Sequence, residues 1–227
     1  MKTSFRILSL LSCATLLAVA PLAHADSTVT GYFWDAAHST IAPCDASKNC
    51  TGNQGAIPAV IPSLVSATSS FTLSGGPGLF NFFSATDGSL TGFLTTGTNG
   101  LSNGDTLTYL TGGNVGDIND GLFEFTGTTF LTLGQVVNVT NDDGANLYVN
   151  GVEVIAAGSP TASGNESWTV TAGFTGVQSF VLDYAETNTA PAHLTSNILP
   201  TPEPNSLMLL GTGVLGAAGM LRRRLLA

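Results

Sequence analysis

Two short runs, Asn146-Leu147-Tyr148-Val149 and Val152-Glu153-Val154-Ile155, flank the dipeptide Asn150-Gly151. Asn-Gly accepts the two positive φ angles of a two-residue type I′ turn, whose twist suits the strands on either side. That turn sets Val149 against Val152 and Leu147 against Val154, with these four on one face and Tyr148 and Glu153 on the other. Turn chemistry and apolar alternation therefore choose the same antiparallel hairpin, and any fold of the chain has to contain it. Similar runs recur between clusters of Gly, Asn, Asp, Ser and Pro: Thr28–Trp34, Leu79–Phe83, Gly92–Thr95, Leu122–Phe125, Phe130–Leu133, Val136–Thr140, Ser167–Ala172, Gln178–Tyr184 and His193–Ile198. Helical periodicity is missing, and 27 glycines disfavour helix interiors. The expected fold is an all-β antiparallel sandwich. In Gln178–Tyr184, Phe180, Leu182 and Tyr184 point one way while Ser179, Val181 and Asp183 point the other, as in a strand with one face in the core. Residues 35–70 read as a loop region with at most one strand.

The 227 residues suffice for one ordinary domain with appendages, and their net charge of −9 is unevenly distributed. In residues 26–200 Lys48 stands alone against 14 acids, a net of −13. Such a surface repels phosphate backbones and anionic headgroups, which excludes nucleic acid as a partner and leaves cations and neutral sugars.

The two ends read as addresses. Lys2 and Arg6, the apolar run Ile7 to Ala20, and Ala23-His24-Ala25 have the anatomy of a signal peptide over residues 1–25, cleaved before Asp26. Leu11-Ser12-Cys13 faintly resembles a lipoprotein box but lies too early in the apolar run. Cleavage removes Cys13 and leaves Cys44 and Cys50 in an oxidising compartment, where a disulfide is expected; a metal pair is the weaker alternative, since no histidine lies near.

At the other end Pro202-Glu203-Pro204 precedes an apolar stretch from Leu207 to Leu221 and then Arg222-Arg223-Arg224. This order, over residues 201–227, resembles the PEP-CTERM sorting signal of bacterial envelope proteins. The resemblance implies a partner, exosortase, a membrane-embedded processing enzyme. About 15 apolar residues make a helix of about 22 Å, marginal against a hydrocarbon core of about 30 Å. A single transmembrane helix at 207–221 is the expectation, halted by the arginines at 222–224 with the acidic domain outside; a permanent anchor is the alternative to a processed tail. Gly211-Thr212-Gly213-Val214-Leu215-Gly216 matches the dinucleotide pattern GxGxxG, but no βαβ unit can follow it.

The stretch from Gly121 to Leu199 carries a second resemblance. Phe123-Glu124-Phe125-Thr126-Gly127, then Val139-Thr140-Asn141-Asp142-Asp143-Gly144, the Asn150-Gly151 hairpin, Phe180 to Glu186 and Ala190-Pro191-Ala192-His193-Leu194 occur in an order similar to the protective-antigen-type β-sandwich. The resemblance implies a sandwich ectodomain over 26–200, and in lectin-like members the paired aspartates hold Ca²⁺ that engages sugar hydroxyls. The residues themselves allow two readings. Calcium takes six to eight oxygens, so Asp142 and Asp143 with nearby carbonyls or the Asn141 and Asn146 amides begin a site. Adjacent strand residues point apart, so both carboxylates reach one ion only if the backbone turns sharply, as through a cis bond. Alternatively Asp142, Asp143 and Gly144 form only a tight turn.

Catalytic patterns are missing. His38 and His193 have no nucleophile motif beside them, and neither GxSxG nor HExxH occurs. The expectation is a non-enzymatic exported envelope or matrix protein that binds Ca²⁺ and surface polysaccharide. The alternative is a surface hydrolase using a carboxylate pair, which closely opposed acids in a cleft would favour.

Overall fold

Alternating apolar residues in this chain pair into two antiparallel sheets, described by a computed structural model for residues 27–35, 56–76, 78–86, 89–95, 101, 107–110, 118, 121–158, 164–187 and 191–199. The strands are β1 (Ser27–Trp34), β2 (Ser69–Gly75), β3 (Phe80–Ser84), β4 (Leu107–Tyr109), β5 (Gly121–Leu131), β6 (Val136–Asp142), β7 (Gly144–Val149), β8 (Val152–Ala157), β9 (Gly164–Thr169), β10 (Gly176–Glu186) and β11 (Ala192–Ser196). One short helix, α1 (Leu90–Thr95), follows β3. The larger sheet runs β4-β2-β1-β5-β10-β7-β8, and the smaller β3-β11-β6-β9. Their facing side chains fill one core rich in phenylalanine. Phe80 of the smaller sheet meets Phe125 and Phe180 of the larger edge-on, with ring centroids 5.3 and 6.1 Å apart. This is the sandwich the alternation demanded.

The hairpin forms where expected. Asn150 and Gly151 both have positive φ, 50° and 75°. Val149 pairs with Val152 and Tyr148 with Glu153, whose side chains meet at 3.1 Å. A bulge between Leu147 and Tyr148 then corrects the register, placing Ile155 rather than Val154 opposite Leu147. The bulge turns the larger side chain inward: Ile155 is buried and Val154 only partly so.

Three other expectations change. Gly92–Thr95 is helical, because Ser89 Oγ accepts the Gly92 N–H at 3.1 Å and Leu90, Phe93 and Leu94 then share a buried face. Leu122–Phe125 and Phe130–Leu133 are not two strands, since β5 runs unbroken from Gly121 to Leu131. Gly127 does not interrupt it; cross-strand Phe180 lies over the glycine. Finally, β2 and β4 join the larger sheet although neither matches a run expected from the alternation.

The outer face of the larger sheet holds a second, small core. Trp34, Ala67, Leu122 and Ala185 are fully buried there, with Tyr32, Ile57 and Ile61 packed against them.

Two expectations about the remaining chain are corrected. Among the described residues no helix is long and apolar enough to cross a membrane, and no disulfide joins any of them. The segment 207–221 and Cys44 and Cys50 lie outside the described residues, as do Ala23, Ala25, Pro202, Glu203, Pro204, Arg222, Arg223 and Arg224.

Candidate functional site

At Asp142 the chain leaves β6 of the smaller sheet, and at Gly144 it enters β7 of the larger one. Asp142, Asp143 and Gly144 therefore form a crossing between layers rather than a hairpin turn. The Asp142–Asp143 peptide bond is cis. Asp143 is buried, and its N–H donates to the Ala185 carbonyl at 3.3 Å. Its Oδ2 accepts the Thr187 N–H at 3.0 Å and the Thr187 hydroxyl at 2.7 Å. Burial pushes the Asp143 carboxyl up, against the pull of these bonds and of the Asp142 side chain, which lies within hydrogen-bonding reach. The crossing thus brings the two acids together.

Asn141 completes the inner wall. It is 1% exposed, its Nδ2 donates to the Asp143 carbonyl, and its Oδ1 is a buried oxygen with no hydrogen-bond partner. Such an atom carries a desolvation cost of about 1–3 kcal/mol unless something else meets it.

Tyr184 of β10 braces the crossing from the core. Its hydroxyl lies 2.5 Å from the Asp142 carbonyl and 3.0 Å from Glu186 Oε2, and it accepts the His193 N–H at 3.2 Å. Burial raises the phenol well above its ordinary value, so it stays a donor. Tyr184→Phe leaves the His193 N–H and the Asp142 carbonyl without this partner. The expected loss is about 1–3 kcal/mol in denaturant unfolding; a loss below about 0.3 kcal/mol counts against the brace.

The described residues contain no lysine or arginine, because Lys48, the one such residue between 26 and 200, lies outside them. Among the described residues no group of three His, Cys, Asp or Glu side chains is arranged to hold a metal, so a cation at Asp142 and Asp143 would take its other ligands from amide and carbonyl oxygens. Asn146, the other amide weighed in the sequence, lies elsewhere. It faces outward from β7 in register with Asp183 of β10.

In the sequence nothing marks Asp183 as a site, since its position in the alternation shows only that it faces outward. On β10 it stands directly opposite Glu124 of β5. It is 2% exposed, and its Oδ1 has no hydrogen-bond partner. Burial, then Glu124 and Glu153, push the Asp183 carboxyl up to about 7, and burial also raises Glu124. This is the closely opposed acid pair that a hydrolase reading asks for. Acid–base catalysis, however, needs environments that push the two pKa values apart, and here both are driven the same way. The acid closest to neutrality is also closed to substrate. This pair therefore does not form the acid and base of a hydrolase.

His193 lies on β11 between Phe83 and Asp142, and burial lowers its pKa. It is a neutral imidazole at pH 7 with no nucleophile in register.

Residues 200–224 match the family model of the PEP-CTERM protein-sorting motif. The chain carries this sorting tail, which marks it as an exported cell-envelope protein and implies an exosortase-type processing partner. No curated protein matches the chain. Among solved structures, it is similar to a PA14 sugar-binding domain from an RTX adhesin, at 17% identity and TM-score 0.45, covering 76% of this chain and 89% of that one. It is also similar to the PA14 domain of the MpAFP antifreeze protein, at 16% identity and TM-score 0.47 over 78% and 86%. A third is the Epithelial Adhesin 6 A domain from Candida glabrata in complex with Galb1-3GlcNAc, at 15% identity and TM-score 0.35 over 82% and 84%.

Proposed function

We propose that the sandwich is a calcium-dependent, non-catalytic glycan-binding module, carried to the cell envelope or extracellular matrix by the PEP-CTERM tail. One observation carries this reading: the Asp142 side chain lies within hydrogen-bonding reach of the Asp143 carboxyl, where no described Lys or Arg can offset them. Two carboxylates of this kind form part of a hard-cation coordination shell, with amide and backbone carbonyls and sugar hydroxyls available to complete it. Calcium bound there would draw a hydroxyl pair of a surface polysaccharide into its shell and so orient the sugar ring. Asp142 and Asp143 would hold the ion from the protein side, with Thr187 fixing the Asp143 carboxylate.

A calcium titration of the full-length protein, followed by thermal unfolding, tests this. A ligand bound only by the native state at 100 times its Kd stabilises by about 2.7 kcal/mol, a shift of several degrees. Millimolar calcium is expected to produce such a shift, and Asp143→Asn to remove it. An unchanged melting temperature with calcium would falsify the cation site.

A further inference from the structure

The outward side chains of the smaller sheet form a grid that the proposed cation site touches at one corner. Opposed residues of paired strands share a face, so the register can be read as rows. Across β3, β11 and β6 the first row is Phe83, His193 and Asp142. Two residues along, the second row is Asn81, Thr195 and Thr140, continued on β9 by Asn165. The Thr140 hydroxyl donates to Asn165 Oδ1 at 3.2 Å. A third row sets exposed Asn138 beside exposed Ser167. Phe83 is 47% exposed and meets His193 edge-on, with ring centroids 5.7 Å apart. Beyond Asp142 these rows carry no acid or base except His193, within a segment whose net charge is −13.

That composition selects a partner. A polyanion would find no cation here, and an apolar protein surface would find one ring among amides and hydroxyls. Asn, Thr and Ser side chains both donate and accept, as sugar hydroxyls do. An aromatic ring covers the apolar face of a sugar, and no charged group in the grid's interior has to lose its water. With strands about 5 Å and rows about 7 Å apart, the grid spans roughly 14 Å each way, ample for more than one sugar residue.

We infer that the outer face of the four-stranded sheet binds an extended neutral polysaccharide, with Phe83 and His193 seating the sugar next to Asp142. This rests on the proposed function only for that corner; the other rows act without a cation.

Affinity electrophoresis of the full-length chain through gels containing dextran, hydroxyethyl cellulose or mannan, with alginate as the anionic control, tests the inference. Retardation by at least one neutral polymer and none by alginate is expected. Phe83→Ala and Thr140→Glu should each weaken that retardation about tenfold, with melting temperature and calcium response unchanged. Asp143→Asn should lose the calcium response but keep most of the retardation. No retardation by any of the three neutral polymers overturns the inference. So does full retardation of both Phe83→Ala and Thr140→Glu, with loss only in Asp143→Asn; that outcome leaves the corner site standing. Retardation weakened by the sheet-face variants, without any calcium response, supports the grid and removes the cation site.

Discussion

Asp183→Asn is expected to make the protein more stable at neutral pH. Asp183 lies on β10, one of the central strands of the seven-stranded sheet, 2% exposed and opposite Glu124. Like charges placed directly opposite destabilise a strand pair, and burial without a donor adds a desolvation cost. A carboxyl raised from about 4 in the unfolded chain to about 7 in the fold costs up to about 4 kcal/mol once both states are ionised, at about 1.4 kcal/mol per pH unit. The amide introduced at this position is neutral and brings two N–H donors to a position in register with Asn146 of β7. A gain of about 2–4 kcal/mol is expected at pH 8.

The sign of the pH dependence follows. A raised carboxyl favours the folded state while protonated, so its stabilising effect is full below about pH 4 and is lost as pH rises through about 7. Glu124 and Asp143, also raised, act in the same direction, whereas the lowered His193 opposes them below its ordinary range. The wild-type protein should therefore unfold at higher denaturant concentration at pH 5 than at pH 8, and Asp183→Asn should flatten much of that difference. Equal stability of the two proteins at pH 8, or a wild type that weakens steadily from pH 8 to pH 5, would contradict this account of the buried acid.

The difference between Asp142 and Asp183 shows what was legible in the sequence. Asp142 and Asp143 stand together in the chain, so their pairing could be weighed from residue order alone. Asp183 and Glu124 are 59 residues apart and meet only through the β5–β10 register. The hairpin at Asn150-Gly151 was legible because turn and pattern are both local, yet the bulge that brings Ile155 inward was not, since it depends on which side chain the core accepts. Helix α1 is not legible because four residues, Gly92 to Thr95, show no period; Ser89 and Leu90 just before them carry the cap and the first buried contact. The neutral grid was hidden for the same reason as the acid pair. Phe83, Thr195 and Asn165 become neighbours only after three strand pairings are fixed.

Phe125→Ala tests the core on which all these surfaces depend. Phe125 of β5 is fully buried, and its ring lies 5.3 Å from Phe80 and 6.0 Å from Phe82, both on the opposite sheet. It also meets Phe123 at 5.8 Å and Phe71 at 5.9 Å. Truncation removes a ring whose neighbours come from both layers, so collapse of one sheet toward the other cannot close the cavity without disturbing the rest. The space is further constrained by glycine. Gly31, opposite Phe125 on β1, is already covered by Phe71, whose ring would lie 2.0 Å from a Cβ there, so that ring cannot move over the gap without leaving the glycine. The expected loss is about 3–5 kcal/mol, a fall of roughly 10 °C for a domain of this size. Phe83→Ala, on the outer face of the smaller sheet, should stay within about 0.5 kcal/mol. Urea unfolding of both variants checks the contrast: a loss below about 1 kcal/mol for Phe125→Ala would mean that the two sheets are not held by this aromatic contact.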